Sequence, residues 1–131
     1  MSLNNSKITV LIPVYKSDEI IPKLAKILVS ELNKNFGEGE FHILLVLDYP
    51  SEYSWNNIKS LSKKYKQISC LKLNKNYGQH NAIFCGLRYV NSDYVVLMDD
   101  DLQHHPKYIY RMYKKIIQGY DAVYKIGRAH V

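Results

Sequence analysis

Apolar residues along this chain gather into short dense runs, with longer stretches between them in which they recur three and four positions apart. The dense runs are Ile8 to Ile12, His42 to Leu47, Ile68 to Leu73 and Tyr94 to Met98, and Asp121 to Lys125 begins another. Their length and β-branched content are those of strands rather than helices. Between them, Leu24, Ile27, Leu28 and Leu32 fall on one helical face, as do Ile58 and Leu61, then Ile83, Leu87 and Val90, then Ile109, Met112 and Ile116. The order β-α-β-α-β-α-β-α-β predicts an α/β domain: a mostly parallel sheet with right-handed crossovers and helices on both faces.

Punctuation supports these boundaries. Pro13 is expected to end the first strand, and Pro22 falls in the first turn of the helix after it, where proline is tolerated. The stretch from Asn35 to Glu40 holds two glycines and closes that helix. The second helix, Trp55 to Lys66, is more polar, and the third strand has polar edges that place it toward the outside of the sheet. Gly78 opens the third helix, and Gly86 inside it costs roughly 1 kcal/mol against alanine, which predicts a close helix–sheet approach. Pro106 opens the fourth helix and Gly119 stops it.

The chemistry collects at strand ends. Asp99, Asp100 and Asp101 follow the Tyr94–Met98 run directly. In an open α/β sheet ligands bind outside the carboxyl ends of the strands. Carboxylates this close repel one another, and a hard cation relieves the repulsion while bridging them to phosphate oxygens. The competing explanation is an acidic loop before a helix; the shared strand end favours the cation. Asp48, alone at the tip of the second strand, has the position of a ribose or base ligand, or of a turn-forming aspartate before Pro50. Lys75 precedes Gly78 and either neutralises a diphosphate or is solvated. Gln79, His80 and Asn81 occupy a helix first turn, whose open backbone N–H groups favour an anion. His80 has no partner at metal-ligand spacing and is expected to line or cap. His104 and His105 lie near the acids, but adjacent histidines at a helix start diverge, which disfavours a zinc site.

Length and composition narrow the classes. The 131 residues suit one domain, and 47% hydrophobic and 23% charged residues are ordinary for a globular protein. The net charge of +6 fits an anionic membrane or an anionic substrate. No nucleic-acid motif accompanies it, so nucleic acid is excluded as a partner. Cys70 and Cys85 lack metal spacing and read as reduced core residues. No signal peptide and no membrane-length apolar run is visible, which predicts a cytoplasmic chain. No G-x-G-x-x-G follows the first strand, which argues against a dehydrogenase, and the glycine-free Val14-Tyr15-Lys16-Ser17 loop argues against a nucleotidyltransferase.

Asp99-x-Asp101, with Leu102-Gln103 and Pro106 behind it, resembles the DXD region of glycosyltransferase family 2, which has the Rossmann-like GT-A fold. The segment Leu73-Asn74-Lys75-Asn76-Tyr77-Gly78-Gln79-His80-Asn81-Ala82 is similar to the branch that moves a sugar from a nucleotide onto a polyprenyl phosphate: the dolichyl-phosphate mannose synthase, bactoprenol glucosyltransferase and undecaprenyl-phosphate aminoarabinose transferase groups. The likeness runs from Ile8 to about Tyr124, and its specific part is Asn74 to Pro106.

The resemblance implies a nucleotide-sugar-binding GT-A half over residues 1–125, with Mg²⁺ or Mn²⁺ held by Asp101 with Asp99 nearby. It implies nucleotide contact by Pro13 and Tyr15, a basic residue at Lys75, and a sugar or ribose role for Asp99; Gly78 belongs to the same donor site. The family carries paired acids and Gly-Ser after its second strand, whereas this chain has Asp48-Tyr49-Pro50-Ser51, so only Asp48 carries over. Asp100 is the variable middle position and receives no role. The implied reaction passes a sugar to a polyprenyl phosphate, already an anion at neutral pH, or alternatively to a glycan hydroxyl, which would require a base. A non-catalytic nucleotide-binding module is the remaining alternative. The resemblance is also compatible with a location at the inner face of the cell membrane and with a homo-oligomer. The last six residues, Ile126 to Val131, resemble a translated sequencing adapter, so a longer natural protein and an inactive fragment are expected.

Overall fold

A computed structural model describes residues 6–17, 19–49, 51–101 and 105–119. In chain order the elements are β1 (Ser6–Val14), α1 (Ile21–Asn35), β2 (Phe41–Leu47), α2 (Glu52–Lys64), β3 (Ile68–Lys72), α3 (Gln79–Leu87), β4 (Ser92–Leu97) and α4 (Lys107–Ile116). The strands form one sheet in the order β3-β2-β1-β4, and every neighbouring pair is parallel. The polar-edged β3 is an outer strand, as its sequence predicts. The strand expected over Asp121 to Lys125 lies outside the described residues.

The two faces of the sheet follow from residue parity. Ile8, Val10, Ile12 and Val14 of β1 point to one side with Ile43, Leu45 and Leu47 of β2, and pack in one core with Leu24, Leu28 and Leu32 of α1, Ile58 of α2 and Ile109 of α4. Leu11, Leu44 and Val46 point to the other side and meet Ala82 of α3. The crossovers through α1 and α2 step outward from β1 to β3. The crossover through α3 steps back across β1 to β4. A right-handed connection that reverses direction must lie on the opposite face, which is where α3 sits.

Two local expectations are corrected here. Proline does not end β1, which runs through Pro13 to Val14. Leu11 O accepts from Met98 N (3.0 Å), whereas Val14 O accepts from Asp48 N (2.8 Å). Position 13 shares parity with position 11 and so faces the β4 side, where the paired register ends at Leu97 and no donor is needed. Of the stripe expected for α3, Ile83 and Val90 do pack, partly buried, against the second core, but Leu87 is exposed and the fully buried positions are Ala82 and Gly86, because α3 rests on β1 and β2 through its small residues. Along β4, Asp93, Val95 and Leu97 alternate outward, because α3 does not cover that edge.

α2 begins at Glu52, before the expected Trp55, because Ser51 caps it: its hydroxyl accepts from Ser54 N at 3.2 Å. Cys70 and Cys85 are free and half-buried. Burial pushes the Cys70 thiol up to about 12.

Candidate donor site

The chain reverses direction between β1 and β4, and in doubly wound sheets the crevice at that switch point is where ligands sit. Here the carboxyl ends of all four strands open onto it. A hollow of about 460 Å³ is lined by Pro13, Val14 and Tyr15 after β1, Asp48 after β2, Asn76, Gly78 and Gln79 between β3 and α3, and Asp99, Asp100 and Asp101 after β4. Its size falls in the range of small-molecule sites.

Each loop is held by side chains from another. Asp48 is 3% exposed, and its Oδ1 accepts from Tyr77 N at 2.8 Å, which ties the β3–α3 loop to the tip of β2. Gln79 Nε2 donates to Asp99 Oδ1 at 3.0 Å, tying the start of α3 to β4. Gly78 takes φ +95°, a backbone only glycine adopts readily, and its N–H donates to Asn76 Oδ1 at 3.2 Å. That turn aims the first turn of α3 at the hollow. Asn81 Nδ2 donates to Tyr77 O at 2.8 Å, so Asn81 braces the same loop. At the outer end, the rings of Tyr15 and Tyr49 meet edge to face with centroids 5.6 Å apart. The Lys16 ammonium lies 5.3 Å and 5.2 Å from those two centroids.

Of the residues singled out in the sequence, Pro13, Tyr15, Asp48, Gly78, Asp99 and Asp101 share this hollow. Lys75 does not line it; its ammonium lies 5.2 Å from the Tyr77 ring centroid. His80 is exposed and is not part of the lining. His105 Nδ1 accepts from Lys107 N at 3.0 Å, a local bond at the start of α4, while His104 lies outside the described residues. Val14, Asn76, Gln79 and Asp100 line the hollow without having been assigned to it. Asn76 and Gln79 stand inside the segment that carried the sequence resemblance, which was the available signal for them.

Among the described residues no group of three His, Cys, Asp or Glu side chains is arranged to hold a metal by itself. The donor set around the hollow is nonetheless all oxygen and carboxylate, the chemistry of Mg²⁺ and Mn²⁺. Mg²⁺ in particular is ordinarily bound through one or two carboxylates and completed by substrate phosphates rather than by a protein cage. Asp99 and Asp101 fit that pattern.

Comparison with known proteins places the family and the fold. Residues 9–130 match Glycosyl transferase family 2. The chain belongs to that family. Its structure is similar to that of S. aureus TarS 1-349 in complex with UDP-GlcNAc, with a TM-score of 0.66 and 21% identity over 86% of this chain and 31% of that one. It is also similar to the mannosyltransferase PcManGT from Pyrobaculum calidifontis in complex with GDP-Man and Mn²⁺, with a TM-score of 0.64 and 15% identity over 72% of this chain and 27% of that one. The family member described here thus shares the GT-A Rossmann-like fold, and it spans less than a third of the length of either structure.

Proposed function

We propose that this chain forms the nucleotide-sugar donor site of a family 2 glycosyltransferase whose acceptor is a polyprenyl phosphate. The observation that carries the donor part is the single hollow into which all four strand ends deliver Tyr15, Asp48, Gly78, Asp99 and Asp101. In that reading Tyr15 and Asp48 receive the nucleoside end. Gly78, with the first turn of α3, receives the diphosphate through backbone N–H groups. Asp101, with Asp99, holds Mg²⁺ or Mn²⁺, and Asp99 also approaches the sugar or ribose. When bound, the divalent ion offsets the charge of the departing nucleoside diphosphate. Pro13 shapes the floor. Lys75 stands one residue from the lining and supplies positive potential near the phosphates.

The acceptor rests on the likeness of Leu73 to Ala82 to the polyprenyl-phosphate branch. A phosphate acceptor is already anionic, so these residues need only position the donor; the acids of the hollow then need not include a general base. A hydroxyl acceptor would require a base.

The donor assignment is tested by thermal shift with UDP or GDP, in MnCl₂ and in EDTA. Wild type should gain several degrees with one nucleotide plus Mn²⁺, since saturation a hundredfold above Kd adds about 2.7 kcal/mol. Asp101→Ala should abolish the metal-dependent part. A nucleotide shift that ignores EDTA and Asp101→Ala would refute the metal-assisted donor site. For the acceptor, full-length protein given a labelled nucleotide sugar should label undecaprenyl phosphate and not a soluble oligosaccharide; the reverse would move the assignment to a glycan hydroxyl.

A further inference from the structure

Of the three acids after β4, one reaches back to the loop that follows β1. Asp100, the middle one, has its Oδ2 taken up by the protein itself: it accepts from Tyr15 N at 3.2 Å and from Ser17 Oγ. Between those two donors stands Lys16 at φ +53°, the one non-glycine residue with positive φ among the described residues. A side-chain-bearing residue keeps such a backbone only where its surroundings over-determine it. Here the surroundings are a single carboxylate oxygen gripping the residue on either side. The β1 and β4 registers, with Leu11 opposite Leu97, bring the two loops out of the sheet next to each other and make that grip reachable.

We propose that Asp100 is a positioning residue. It clamps the Tyr15–Ser17 turn and thereby sets the Tyr15 ring against Tyr49 and the Lys16 ammonium over both rings at the mouth of the hollow. Asp100 thus ties the end of β4 to the end of β1, as Asp99 ties it to the start of α3 through Gln79. This rests on the donor-site reading for its consequence, but the clamp is measurable without any ligand. What the clamp needs is an acceptor oxygen at that point, not a charge, so asparagine should replace aspartate and alanine should not.

The experiment compares wild type, Asp100→Ala, Asp100→Asn and Ser17→Ala. Three quantities are read: amide hydrogen exchange of Tyr15 to Ser17, Mn²⁺ binding by electron paramagnetic resonance, and affinity for UDP and GDP in Mn²⁺ by calorimetry. Asp100→Ala should speed exchange in this turn about tenfold or more and weaken the preferred nucleotide by about tenfold, the scale of a lost hydrogen bond to a charged group. Ser17→Ala should do part of this, and Asp100→Asn should stay within about threefold of wild type in both. Mn²⁺ affinity in Asp100→Asn should stay within about threefold of wild type, the effect of one nearby charge. Unaltered exchange in Asp100→Ala overturns the clamp. So does an Asp100→Asn variant as impaired as Asp100→Ala. A Mn²⁺ affinity that falls about tenfold or more in Asp100→Asn would make Asp100 an ion ligand instead. If wild type binds neither nucleotide, the donor-site reading fails, while the exchange data still decide the clamp.

Discussion

At the scale of single residues, buried polar side chains such as Thr9, Asp48 and Ser69 are paired, and the pairing has consequences for stability. His42 on β2 bonds Ser69 Oγ through Nε2 at 2.8 Å, and its partial burial lowers its pKa from the ordinary 6.5. The unfolded chain therefore takes up a proton more readily than the folded one as pH falls. The stability contributed by neutral His42 is complete above about 6.5 and is lost below it. Glu38, Glu40 and Glu52, paired with Lys66, Lys7 and Lys72, have pKa values lowered from 4.5, so their loss comes at lower pH. Chemical denaturation at pH 8.0 and 5.5 should show wild type losing stability over that interval. His42→Gln, which keeps a bond to Ser69 without titrating, should lose measurably less. Equal losses would show that His42 is not the group responsible.

At the scale of elements, α3 decides how closely the second face of the sheet is covered. A Cβ at Gly86 would stand 2.6 Å from Leu11 Cδ1 and 2.9 Å from Val46 Cγ2. Alanine gains about 1 kcal/mol of helix propensity, but overpacking typically costs 1–3 kcal/mol, and here the added Cβ meets side chains of two different strands. Gly86→Ala is expected to lower stability by about 1 kcal/mol net, read as a lower denaturation midpoint at unchanged slope. The double variant Gly86→Ala with Leu11→Val should lose less than the two single losses added together, because the smaller side chain vacates the contact. Strict additivity would place the strain elsewhere. The same close approach holds the first turn of α3 at the hollow, so Gly86→Ala should also weaken nucleotide binding without touching the ligand.

At the scale of the whole molecule, stability is graded across the sheet. β1 and β2 each pair on both sides and are almost wholly buried, while β3 and β4 are outer strands among the described residues. β4 exposes Val95 at 36% and Leu97 at 55%, beside an α3 that exposes Phe84 at 68%. Native-state amide exchange should therefore be slowest in β1 and β2 and faster in β3 and β4. Uniform protection would mean that the outer strands are held by more than their ladder. The hollow is built at the boundary of these regions, with Tyr15 at a protected strand's end and the three acids at the less protected one. Asp100 joining them is the device that makes one site of the two.

The sequence determined much of this by itself. Apolar runs of strand length, helical stripes between them, and the acids after Tyr94–Met98 are properties of local order, so the parallel α/β class, the outer place of β3 and the close approach at Gly86 could all be read from it. Tertiary structure alone decided the rest. That Pro13 stays inside β1 depends on where the β4 register ends. That α3 turns Ala82 inward and leaves Leu87 out depends on the helix lying over β1 and β2. That Asp100 binds Tyr15 and Ser17 depends on two loops 85 positions apart emerging side by side. Periodicity records which face a residue takes within its own element, whereas partners across a sheet follow from strand order and register, which no local pattern encodes.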